Sequence, residues 1–81
     1  MLRVGQLYRV DLEIVGFEID HAEHLATILV PSGAKLRVTQ FRSHYDIRLT
    51  TVDWAGRSIM VFRPDLAHRA TQLEQDTTTT V

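Results

Sequence analysis

Four histidines, three serines and a run of carboxylates are the residues from which a reactive site would have to be built. His21-Ala-Glu-His24 has metal-ligand spacing: two imidazoles three apart share one helical face, with Asp20 or Glu23 as a carboxylate ligand. That geometry requires a helix, whereas the flanking residues read as a loop. A third ligand would have to come from His44 or His68, which no motif ties to the pair. The expectation is therefore solvated loop histidines and no bound metal or other cofactor. Ser32, Ser43 and Ser58 stand outside any nucleophile elbow. Asp46 and Asp53 have opposite parity on one extended segment, which sends them to different faces of a strand. Gly5, Gly16, Gly33 and Gly56 are dispersed singly, so no loop cradles a phosphate. No catalytic residue is assigned, and the chain reads as a non-enzyme.

Two sets of side chains suit binding instead. Phe41, Tyr45, Trp54 and Met60 are candidate contacts for a protein partner, because exposed aromatics and methionine anchor interfaces. Ile59 to Phe62 is apolar on both faces, which suggests a covering segment or edge pairing into a homodimer. The alternative is weak binding of single-stranded nucleic acid or RNA by the basic half. There Lys35, Arg37, Arg42, Arg48 and Arg57 would meet phosphates while aromatics stack on bases.

Charge is unevenly distributed along the chain. Residues 10–34 carry Asp11, Glu13, Glu18, Asp20 and Glu23 without a Lys or Arg, a sum of −5. Residues 35–69 sum to +4, yet the whole chain is −1 and its pI is near 6.4, low for a nucleic-acid domain. The halves are expected to neutralise each other across the fold. With 81 residues and no cysteine, the chain suits one small domain without disulfides, zinc thiolates or a cysteine nucleophile. No apolar run approaches the ~18 residues of a membrane span, and the N-terminus lacks a signal-peptide pattern. A cytoplasmic protein with no membrane partner is the expectation.

The elements that must position these residues are extended. Tyr8, Val10, Leu12 and Ile14 alternate with polar residues, as in a strand with one buried face. Gly16 and the acids through Glu23 read as a long loop or an irregular hairpin, and Leu25 to Val30 as a second strand. Pro31-Ser-Gly33 is a turn, followed by a half-buried strand around Leu36 and Val38. Tyr45 to Trp54 reads as extended, with a bulge or sharp twist at Thr50-Thr51 where the apolar parity changes. Ala55-Gly56 reverses the chain, with Gly56 as the left-handed residue, and Arg57 to Phe62 returns. After Pro64 comes a short helical turn over 65–69, where Asp65 is the candidate cap, and then a closing strand. Residues 1–75 form the domain and 76–81 a flexible tail.

This order resembles the SH3-like barrel. Leu29 to Val38 matches a diverging turn and the strand after it, Trp54-Ala-Gly-Arg57 a distal hairpin, and Phe62-Arg-Pro-Asp-Leu66 the turn before the last strand. The resemblance implies an all-β, five-stranded, strongly bent antiparallel barrel that acts as an interaction module. The row of aromatics that binds proline-rich ligands is not matched, since Tyr45 and Ile47 stand where its tryptophan belongs. The chain is also similar to short bacterial proteins of unknown function with a Trp-x-Gly-Arg, Phe, Asp-Leu pattern, which implies no activity.

Overall fold

A computed structural model describes residues 3–19, 24–43 and 46–73. The chain forms β1 (Leu7–Val10), β2 (Ile14–Ile19), β3 (Leu25–Val30), β4 (Lys35–Gln40), β5 (Leu49–Trp54) and β6 (Arg57–Phe62). A helix, α1 (Arg63–Arg69), and a last strand, β7 (Ala70–Leu73), complete it. Every pairing is antiparallel and the strand order is β3-β2-β6-β5-β4-β1-β7. The expected all-β class holds. The expected five-stranded barrel does not: seven strands form one open sheet whose ends, β3 and β7, do not pair with each other.

Period-two burial explains why these segments became strands. Tyr8 and Val10, then Leu36 and Val38, turn inward while Arg9, Lys35 and Arg37 face water. Their inward residues join Ile14, Val30, Val52, Ile59, Val61 and Leu66 in one cluster. Because that cluster draws on both ends of the strand order, the sheet must curl over its own inner face. Two hydrogen bonds carry the β1–β4 pairing into the turn before β4: Val10 N donates to the Ala34 carbonyl (2.8 Å) and Gly33 N to the Val10 carbonyl (2.7 Å). The expected turn at Pro31–Gly33 is present, with Gly33 at φ 94°.

Several sequence expectations need correction. The stretch from Tyr8 to Ile14 is not one strand, because the chain bends at Asp11-Leu12. There the amides of both residues bond to the Arg69 carbonyl at the end of α1, at 2.8 and 3.1 Å. Gly16 does not start a loop; it lies inside β2, opposite Val61 of β6. A Cβ there would lie 3.3 Å from Val30 Cγ2 and 3.4 Å from the Met60 carbonyl oxygen, so the missing side chain lets two strands approach. The bulge falls on the partner strand, β4, where Val38 and Gln40 oppose adjacent residues Val52 and Thr51. Strand β5 starts at Leu49, not Tyr45, and α1 starts at Arg63, not residue 65. Phe62 occupies the N-cap without a side-chain bond, so Asp65 sits in the first turn rather than capping it.

The flexible tail expected at 76–81, the acids Asp20 and Glu23, and the side chains of His21 and Tyr45 all lie outside the described residues. No helix among the described residues is long and apolar enough to cross a membrane.

Candidate functional site

The described members of the proposed partner-contact set, Phe41, Trp54 and Met60, do not come together. Met60 is 5% exposed: β6 lies between β2 and β5 rather than at an edge, and the Ser43 hydroxyl donates to the Met60 sulfur at 2.8 Å. Burial on both faces explains the apolar run Ile59 to Val61, so that run needs neither homodimer nor further cover. Trp54 packs partly buried against the core under the Arg57 guanidinium, 5.5 Å from the ring centre. It stands four residues along β5 from Thr50, whose hydroxyl donates to the Phe41 carbonyl. At ~3.3 Å per strand residue, Trp54 is thus about 13 Å from the Phe41 end of the sheet.

Among the described members of the set, Phe41 borders a cavity. A groove of about 750 Å³ opens between α1, the inward residues of β1 and β7, and the loop that joins β4 to β5. Tyr8, Ala70 and Gln72 line one side, with Tyr8 directly opposite Gln72 in the sheet register. Leu66 and Ala67 of α1 form the floor, Pro64 and Phe62 one end, and Phe41 and Arg48 the far wall. Pro64 suits the start of a helix, where its fixed φ fits and its missing N–H would find no partner anyway. Phe62 is braced from behind by Phe17 of β2, edge to face at 5.6 Å between ring centres.

The loop wall is held by a polar network. Arg48 binds the Asp46 carboxylate through two nitrogens, Nη2–Oδ2 at 2.6 Å and Nε–Oδ1 at 3.0 Å, while its own amide donates to Oδ1 at 2.8 Å. These donors stabilise the ionised form and bring the Asp46 pKa from 3.8 to about 2. Arg63 donates its amide to the Arg48 carbonyl (3.2 Å) and Nη1 to the Phe41 carbonyl (3.3 Å). Its guanidinium lies 5.0 Å from the centre of the Phe41 ring, and that of Arg42 lies 5.9 Å from the same ring. Neither Arg42 nor Arg63 is ion-paired with a carboxylate among the described residues. The groove therefore pairs an apolar floor with positive charge at the loop wall.

The basic residues of the alternative reading separate into three places. Arg48 lines this wall, and Arg42 is tied to it through the Phe41 ring without lining the groove. Lys35 and Arg37 sit exposed on β4, where Arg37 lies opposite Asp53 and donates to the Gly5 carbonyl. Arg57 is bound to Glu18 through two nitrogens, at 2.7 and 3.2 Å. No cluster of three metal-ligating side chains occurs among the described residues.

Sequence reasoning missed Tyr8, Phe62, Pro64 and Leu66 as wall residues, having assigned them to core or to strand ends. The one available signal was Phe62-Arg-Pro-Asp-Leu66, where a strand gives way directly to a helix and must leave a corner. Compared with family models, curated proteins and solved structures, the chain matches none.

Proposed function

We propose that this protein is a non-enzymatic interaction module that takes up an extended segment of a protein partner in the groove beside α1. The observation that carries the reading is the pairing of Phe41 with Arg42 and Arg63 at the wall of an apolar channel. Such a channel suits an apolar side chain with a carboxylate close by in the partner. Among the described residues, the titratable groups that line it are the guanidiniums of Arg48 and Arg63 and the phenol of Tyr8, whose pKa burial pushes up.

Panning a displayed library of random peptides tests the proposal, with Phe41→Ala and Arg63→Glu variants as controls. Enriched peptides are expected to place an apolar residue beside Asp or Glu. Their affinity should fall by about tenfold or more on each variant, as for an interface anchor. Failure to enrich, or peptides that bind both variants undiminished, would overturn the reading. A single-stranded oligonucleotide is the competing probe. Salt-sensitive binding lost in Arg37→Glu, rather than in Arg63→Glu, would favour the basic half instead.

A further inference from the structure

Among the described residues, strand β3 is an edge without protection. It pairs with β2 over all six residues in unbroken register, and its backbone makes no bond beyond β2 among the described residues. Its sequence, Leu25-Ala-Thr-Ile-Leu-Val30, contains no charge and no proline. Natural sheets guard an open edge with lysine, proline, a bulge or extreme shortness, because unpaired N–H and C=O groups recruit another strand. None of these devices is present here.

The side chains point the same way. Leu25 and Leu29 project from one face at 51% and 58% exposure, and Val15, directly opposite Leu29 on β2, is 38% exposed. Ile19 stands opposite Leu25. Across an antiparallel seam, directly facing residues share a face, so a two-fold axis must pass through a residue of the strand.

We propose that β3 is a self-association edge, joined antiparallel to β3 of a second copy about a two-fold axis through Thr27. In that register Leu25 faces Leu29 of the partner subunit, and Ala26 faces Ile28 of the partner subunit. The rows of the two sheets then run on without interruption: Val15, Leu29, and across the seam a second Leu25 and Ile19. Moving the axis to Ile28 would instead set Thr27 against a leucine and leave Leu25 unpaired. The occupant is a second copy because the edge is complementary to itself: it is neutral, so no like charges meet, and each exposed leucine gains the other. A seam of about five residues buries less than the ~1,600 Å² of a standard interface. The dimer is accordingly weak and concentration-dependent. It shares no residue with the groove.

Because the chain has no cysteine, a single introduced thiol reads the register directly. Under mild oxidation Thr27→Cys should cross-link to its own copy about tenfold or more faster than Ser32→Cys, placed in the exposed turn. Sedimentation over an about hundredfold dilution series should show dimer giving way to monomer. Thr27→Lys, which sets two ammonium groups face to face, should weaken that dimer by about tenfold or more at an unchanged circular dichroism spectrum. Arg63→Glu should leave it intact. A protein monomeric throughout, a dimer indifferent to Thr27→Lys, or equal cross-linking at the two cysteines would each overturn the proposal.

Discussion

Asp46 shows how one side chain organises a binding wall. It accepts from the Arg48 guanidinium and from the Arg48 amide, and so folds the loop that carries Arg48 toward the groove. Since the folded pKa of about 2 lies below the ordinary 3.8, the charged form stabilises the fold above pH 3.8. That contribution fades as the pH falls through about 2. The stability difference between wild type and Asp46→Asn should therefore shrink from about pH 4 down to about pH 2 in denaturant titrations. A pH-independent difference would show that the carboxylate's charge plays no part. Asp11, held down by the Thr71 hydroxyl and Arg9, and Glu18, held down by Arg57, drift in the same direction, so the comparison with the variant is what isolates Asp46.

Among the elements, the β5–β6 hairpin is the one whose geometry the chain suits least. Trp54 pairs with Arg57, which leaves a two-residue loop in which both Ala55 (φ 53°) and Gly56 (φ 84°) take positive φ. This is the pattern of a type I′ turn, whose twist matches that of the strands it joins. Alanine in that region carries a Cβ penalty of roughly 1 kcal/mol, and asparagine tolerates the conformation better. Ala55→Asn should raise unfolding stability by about 0.5–1 kcal/mol, read as a higher denaturant midpoint at unchanged slope. A loss of stability would mean that the methyl of Ala55 has a packing role. Glycine at 56 was legible from sequence as the left-handed residue. Ala55 as its left-handed neighbour was not, because the loop length depends on which residues pair.

The whole molecule is an open sheet made compact by curling, and α1 is what fills the remaining opening. Leu66, 1% exposed, is the helix residue that reaches the common core, and it forms the groove floor as well. Leu66→Ala should cost about 2–5 kcal/mol by chemical denaturation, the range for a leucine truncated in a packed interior. In a domain of this size that is a large share of total stability. A cost under about 1 kcal/mol would mean that the helix rests on the sheet without sealing it. Peptide binding should weaken in parallel, since core and groove share this side chain.

Local chemistry in the chain was enough to set the strand around Leu36 and Val38, the return strand to Phe62 and both turns, because alternation and positive-φ positions act over a few neighbours. The chain also showed that its histidines and serines form no recognisable motif. What tertiary structure alone decided is how those strands meet. Gly16 could continue β2 because β6 pairs alongside it, and Met60 became core because β6 ended up between two neighbours. The groove exists because a helix, a loop and two strands distant in sequence converge on one corner. Periodicity says which face of a strand is wet, but not which other strand, helix or copy will cover it. That choice rests on long-range packing, which no short window of residues contains.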